Sequence, residues 1–304
     1  MNSDAKGTIE FWKYSGAGND FIIVDLLDTA RLGEASAHAQ ALCQRATSVG
    51  ADGFVLVSEP GSQDPGCTAR MQLWNADGSS AEFSGNAARC ALRYLADEGR
   101  CDGKAKLATD IGIVDGWVDG STVGVHLPGP AIAVPNRRIR VEGRDVVGTE
   151  VAAGVPFFVL FCDDPDDLPV RFLGRAIRHH EALEPAGANV AFVRVDSEQE
   201  LYFRVYERGV EDETLSSGTG SISAAVAAAA ANLVESPVSC QARGGTLTVR
   251  FNIASPSSTS TPACDSKSFE RQHDETVSFD QIAVEGETRR VMRATAFPDA
   301  LQLN

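Results

Sequence analysis

Two short segments carry the residue types from which proton-transfer and anion-binding chemistry is built: Ser84-Gly85-Asn86-Ala87-Ala88-Arg89 and Ser217-Gly218-Thr219-Gly220-Ser221. In each, a small hydroxyl residue and a glycine open an alanine-rich run without proline, the way a helix start with closely approaching backbone is written. Such a start presents N–H groups without intrahelical partners and the positive end of the helix dipole. Two of them facing one pocket would hold a carboxylate between them. One such start is an ordinary feature of a fold. Two of them beside acidic residues (Asp77 and Glu82 before the first, Glu211-Asp212-Glu213 before the second) point to a duplicated site. Asp77, Glu82 and Glu213 are the acids nearest the two serines in sequence, with turn capping as their structural role.

The elements that must position these segments read as follows. A strand over 9–14 runs into the polar turn Ser15-Gly16-Ala17-Gly18-Asn19-Asp20 and resumes over 21–24. Its glycines let the backbone approach a neighbour, and Asn19 offers both a donor and an acceptor there. Because a strand follows Gly16-Ala17-Gly18, this is not a dinucleotide fingerprint. A helix is expected over 35–46, strands over 54–57 and 71–74, and a helix over 86–97. Further strands follow near Leu107 and over 113–114 and 123–127, and Pro128-Gly129-Pro130 is the best linker. The second half repeats the theme, with strands near Val151 and over 157–161, 189–195 and 201–206, then Glu207-Arg208-Gly209, Ser217 and an alanine helix over 223–232. Strands over 246–251, 277–284 and 289–295 close the chain. The Ser-Thr-Pro-rich stretch 254–275 reads as a solvated hairpin extension or disordered loop.

Composition narrows the class. A chain of 304 residues accommodates one large or two medium domains, and the duplicated pattern favours two. A net charge of −15 with no basic patch argues against nucleic acid. No apolar run reaches the roughly 20 residues that span a bilayer, and the first residues lack a signal-peptide core, so no membrane partner and a cytoplasmic location are expected. Seven scattered cysteines without a Cys-x-x-Cys pair fit free thiols, Cys90 among them as a core residue, and the five histidines form no ligand pattern.

At Gly16-Ala17-Gly18-Asn19-Asp20-Phe21, Asn75-Ala76-Asp77-Gly78-Ser79, Gly85-Asn86-Ala87-Ala88-Arg89, Gly187-Ala188-Asn189-Val190, Glu207-Arg208-Gly209 and Glu213-Thr214-Leu215 with Gly218-Thr219-Gly220, the chain resembles the diaminopimelate epimerase family. The motifs fall in family order over nearly the whole length; each alone is weak, the ordered set is specific. The resemblance implies an α+β fold of two similar, pseudo-symmetric domains, each a mixed sheet curled around a central helix, with the active site in the cleft between them. The expected boundaries are 1–128 plus about 289–304 for one domain and 129–288 for the other, with a flexible extension near 254–275.

The activity it implies is inversion of one α-carbon of a small amino dicarboxylate, LL- to meso-diaminopimelate, in lysine and peptidoglycan biosynthesis. No pyridoxal phosphate, other cofactor or metal takes part, and a homodimer is left open. One thiolate removes the α-proton and a thiol on the opposite face returns one, while both helix starts stabilise the developing charge. Carried over by position, Asn19, Asn75, Asn189, Glu207 and Arg208 match substrate-gripping residues, and Gly85-Asn86 and Gly218-Thr219 match the backbone donors for the α-carboxylate. Arg208 is the natural fork for a distal carboxylate.

Three departures qualify the resemblance. Both catalytic thiol positions are serines, Ser84 and Ser217. Val155-Pro156-Phe157 replaces a common Asn-Pro-His, and the 209–213 segment is one residue longer than the family spacing, a change a turn can absorb. The serines matter most. With water at pKa ~15.7 standing in for a hydroxyl and ~8.5 for a thiol, deprotonation costs about 10 kcal/mol more, beyond what a site's tuning recovers. The reading is therefore an epimerase impaired as written. Its alternatives are a divergent lyase or isomerase of the same fold that works through a carboxylate or hydroxyl, as proline-racemase-like dehydratases and phenazine-pathway isomerases do, and a non-catalytic amino-acid-binding protein.

Overall fold

A computed structural model describes residues 8–26, 34–254 and 276–301. The 254–275 extension, apart from Ala254, lies outside the described residues. The first half runs β1 (Ile9–Gly16), β2 (Asn19–Leu26), α1 (Ala35–Leu42), β3 (Gly53–Ser58), β4 (Ala69–Asn75), β5 (Ser80–Ala81), α2 (Gly85–Asp97), β6 (Lys104–Thr109), β7 (Gly112–Asp119) and β8 (Thr122–His126). The second runs β9 (Ala131–Val141), β10 (Arg144–Ala153), β11 (Val155–Phe161), α3 (Val170–Arg178), β12 (Asn189–Ser197), β13 (Glu200–Glu207), β14 (Asp212–Thr214), α4 (Gly218–Ala230), β15 (Val238–Ala242), β16 (Gly245–Ile253) and β17 (Val277–Ala296).

The fold is α+β, and the two halves share one topology. An antiparallel pair (β1–β2, β10–β11) crosses through an outer helix to a parallel neighbour (β3, β12), and a further antiparallel pair (β3–β4, β12–β13) leads to the central helix. That helix delivers the chain to another parallel strand, β6 beside β4 and β15 beside β13. Each central helix is enclosed mainly by its own half's strands, α2 by β1, β2, β7 and β8 and α4 by β9 to β12 and β16, and β17 packs against both helices. A helix enclosed this way must be apolar or small on nearly every face, which is why α4 can be a run of alanines buried from Ser221 to Ala229. The outer helices cover the opposite sheet faces: α1 over Ile22, Val24 and Phe54, and α3 over Phe158, Val190 and Phe192.

Several elements differ from the sequence expectation, each for a physical reason. α4 begins at Gly218, not near Ser223, because the Ser217 hydroxyl accepts from Gly220 N at 3.1 Å and offsets the low helix propensity of the glycines. α1 stops at Leu42, where the chain turns back with Gly50 N donating to Leu42 O. The strands expected over 277–284 and 289–295 are one 20-residue strand, β17, which pairs with β16, β8 and β9 in its first part and with β1 from Thr288 onward. The Pro128-Gly129-Pro130 stretch lies in the connection between β8 and β9, with Gly129 at φ +87°. No helix among the described residues is long and apolar enough to cross a membrane.

Candidate active site at the paired helix ends

Ser84 and Ser217 occupy equivalent places. Each is the N-cap of a central helix in extended conformation, at φ −143°, ψ 123° and φ −147°, ψ 127°, and each hydroxyl accepts from the backbone three residues on, Ala87 N at 3.3 Å and Gly220 N at 3.1 Å. The helix starts abut: a methyl group placed on Gly218 would lie 3.4 Å from Gly85 Cα and 3.6 Å from Asn86 N. The glycines bring the two backbones into contact; Gly85 and Gly218 are buried while Thr219 reaches back to Ser217 at 3.4 Å between hydroxyl oxygens. Two positive helix ends in contact repel one another, and an anion between them converts the repulsion into attraction.

Asn86 ties the two halves together at this point. Its Nδ2 donates to Asn19 Oδ1 at 2.6 Å and to Ser216 Oγ at 3.3 Å, and its Oδ1 accepts from Arg89 Nη2 at 2.5 Å. Ser216 Oγ donates in turn to the carbonyl of Ala17. The turn that bears Asn19 is a two-residue hairpin with both Ala17 (φ 51°) and Gly18 (φ +85°) in the left-handed region, as the right-handed twist of its strands demands. Its tip rests on the second half, since a methyl group on Gly18 would lie 2.6 Å from Gly244 Cα, a backbone atom that cannot turn aside. Gly18→Ala therefore combines a disfavoured φ with overpacking and should cost about 2–5 kcal/mol. Urea denaturation checks this, and an unchanged midpoint would contradict the contact. Asn19 also donates to Asp52 Oδ2 at 3.1 Å, and Asp52 and Asp20 share Arg45.

On the second half, Glu207 ends β13 half-buried beside Ser217. Burial holds its carboxyl above the usual range, hydrogen bonding with the Ser217 and Thr214 hydroxyls works against this, and the Asp52 charge adds to the rise. Asn189 is spent on the backbone, donating to Pro156 O at 3.0 Å and accepting from Arg208 N at 2.8 Å, so it fixes the strand end that carries Glu207 and Arg208. The Arg208 guanidinium reaches only Ala186 O, at 3.4 Å. Asn75 stabilises its own turn through Ser79 Oγ at 2.9 Å.

The extra residue after Gly209 is absorbed by a turn in which Gly209 (φ +87°) and Glu211 (φ 55°) are left-handed and Glu207 pairs with Asp212. Phe157 points into the core at 1 % exposure, with Val155 packed against the same cluster.

The three acids nearest the serines in sequence serve the scaffold. Asp77 caps its turn by accepting from Ser79, Glu82 is exposed, and Glu213 binds Arg204 through two bonds of 2.6 and 2.7 Å. Sequence reasoning did not single out Ser216, Gly244 and Arg89. Arg89 lies inside a motif already read, and Ser216 neighbours a predicted site residue; Gly244 gave no signal beyond a turn. Among the described residues no group of three His, Cys, Asp or Glu side chains forms a metal site. An open groove of about 620 Å³ lined by Thr68, Lys106, Trp117 and His126 lies on the outer strands of the first half and contains none of these residues.

A family model for diaminopimelate epimerase matches residues 11–124 and 149–261, which takes in both helix starts, the Asn19 turn and the Glu207-Arg208 strand end. The chain belongs to the diaminopimelate epimerase family. A diaminopimelate epimerase of Aquifex aeolicus is 37% identical over 255 residues, 80% of this chain and 90% of that one. Another of Cupriavidus necator is 34% identical over 267 residues, again 80% and 90%.

Solved structures share the fold at low identity. A phenazine biosynthesis protein of the PhzF family from Bacillus anthracis superposes with TM-score 0.66 at 13% identity, over 95% of this chain and 99% of that one. A hydroxyproline epimerase from Agrobacterium vitis also gives 0.66, at 14% identity over 97% and 93%. The matched residues include both central-helix starts with Ser84 and Ser217 and the β13 end with Glu207 and Arg208.

Proposed function

We propose that this chain is a diaminopimelate epimerase by scaffold and ligand, impaired in proton transfer by Ser84 and Ser217. The observation that carries the reading is the contact of the two helix starts at Gly85 and Gly218, each capped by one of these serines. An α-carboxylate held there would present its α-carbon to the flanking Ser84 and Ser217. Glu207 supplies a carboxylate for an α-ammonium group, and Arg208, which no carboxylate pairs among the described residues, supplies the fork for the distal acid. The division into domains of 1–128 with 289–304 and of 129–288 remains part of this proposal, with its second crossing inside β17.

The test is a calorimetric panel of dicarboxylic and basic amino acids. Diaminopimelate should bind, and Arg208→Lys should weaken it about tenfold while leaving monocarboxylic ligands nearly unaffected, because lysine cannot form the bidentate pair. Equal weakening of both classes would place Arg208 in the scaffold and remove the distal-acid assignment.

One observation favours a second reading, a carboxylate-dependent isomerase or lyase on the same scaffold. Glu207, whose carboxyl stands above the usual range next to Ser217, is placed to exchange a proton on that face. In this reading a ligand would lose its α-proton to solvent without inversion, since no matching carboxylate hydrogen-bonds to Ser84 among the described residues.

A further inference from the structure

Arg89 is an anomaly of the core. It has 0 % exposure, and its Nε and Nη1 have no hydrogen-bond partner among the described residues. Arginine is almost never fully buried unless it is paired, because an unpaired interior charge costs more than packing returns. Among the described residues no carboxylate offsets this one; the titrating group that acts on it is the Cys90 thiol, itself pushed up to about 12 by burial. Burial lowers the guanidinium to about 10, which still leaves it charged at neutral pH.

The space around the group is made for it. A methyl group on Gly16 would lie 3.4 Å from Nη2 and one on Gly286 3.0 Å from Nη1, so glycines of β1 and β17 leave room on both sides. The same methyl group on Gly16 would lie 3.6 Å from the buried Thr288 hydroxyl, also without a partner among the described residues. Only Nη2 is engaged, at 2.5 Å on Asn86 Oδ1. Arg89 lies one helical turn after Asn86, and its side chain runs back toward the N-terminus of α2, as helix geometry directs.

We propose that Arg89 is a positioning residue for the carboxylate site. By holding Asn86 Oδ1 it fixes which way the Asn86 amide faces, so that Nδ2 reaches Asn19 and Ser216 and the two halves are locked at the helix ends; its own charge is compensated only when an anion occupies the site. The inference rests on the carboxylate reading of the paired helix ends. It implies that Arg89 is kept at the expense of stability in the unliganded protein, where the cost of an interior charge without a carboxylate partner exceeds that of leaving Asn86 Oδ1 without its Arg89 donor.

The test is Arg89→Met and Arg89→Lys in the full chain, followed by thermal melting without ligand and by calorimetry with LL-diaminopimelate. Arg89→Met should melt at or above the parent, by up to about 2–4 °C, and bind at least tenfold more weakly. Arg89→Lys should recover part of that affinity. In a double-mutant cycle, Asn86→Ala should add little to the binding loss of Arg89→Met, since the two act as one unit.

A Met variant that melts below the parent, or binds as tightly, overturns the inference and assigns Arg89 to packing. A parent that fails to bind diaminopimelate refutes the substrate reading instead. The melting comparison then decides for Arg89 alone: at or above the parent supports the inference, below it overturns it.

Discussion

Ser84→Cys combined with Ser217→Cys is expected to raise turnover of LL-diaminopimelate at least a thousandfold over the chain as it stands, with little change in ligand affinity. Both serines already sit at helix starts, each with its oxygen bound to the backbone N–H three residues on, so a thiol introduced there enters a prepared position. A helix N-terminus lowers a thiol's pKa and favours the thiolate. If the site recovered half of the ~10 kcal/mol that separates a hydroxyl from a thiol, the remaining ~5 kcal/mol would still slow the step by more than a thousandfold. Each single substitution should stay poor in inversion, because a base on one face needs an acid on the other, while exchanging the α-proton with solvent. Optical rotation and proton NMR in heavy water across the parent, both singles and the double measure this. Brisk inversion by the Ser/Ser protein would end the thiol argument, and an inert double variant that still binds would show that the substrate is not diaminopimelate.

Glu207→Gln should lose about tenfold to a hundredfold in affinity for an amino-acid ligand, the worth of a hydrogen bond to a charged group, and gain stability at neutral pH. The sign follows from burial. A carboxyl held above its ordinary range in the fold gives up its proton less readily there than in the unfolded chain. Stability is therefore full below the unfolded value and lost as pH rises toward the folded one. Glutamine stays neutral throughout, so melting curves of parent and variant should converge in acid and separate as Glu207 ionises. A variant less stable than the parent at pH 7 would mean that the carboxylate is held by partners stronger than the Ser217 and Thr214 hydroxyls.

The site was more legible in the sequence than the framework around it. A hydroxyl, a glycine and an alanine run mark a capped helix start, and their duplication singled out Ser84 and Ser217, while Asn19 stood out as a donor and acceptor on a glycine turn. What could not be read was set by distant packing. α3 was hidden by Gly174, which breaks a helical pattern for a reason found 32 positions away: a methyl group there would lie 2.5 Å from Tyr206 Cβ. Gly286 made β17 look like two strands, yet its missing side chain makes room for Leu247 and Arg89. Asn189 illustrates the opposite case: its position was legible, but that both ends of its amide are taken by Pro156 and Arg208 required the fold. Glu207 was read as a ligand contact, and only the fold reveals its half-buried place beside Ser217, where burial holds its carboxyl above the usual range.

The pairing of β1 with the last part of β17 bears on how the chain folds. β1 is flanked by β2 on one side and on the other by residues 288–296, which lie beyond the whole second half in sequence. Ile9 and Phe11, buried at 7 % and 2 % exposure, belong to a strand whose outer edge stays open until residues 288–296 pair with it. An open edge carrying apolar residues is a template for the wrong partner. The first half therefore keeps an open edge until β17 pairs with it, and because β17 also pairs with β16, one strand completes both halves.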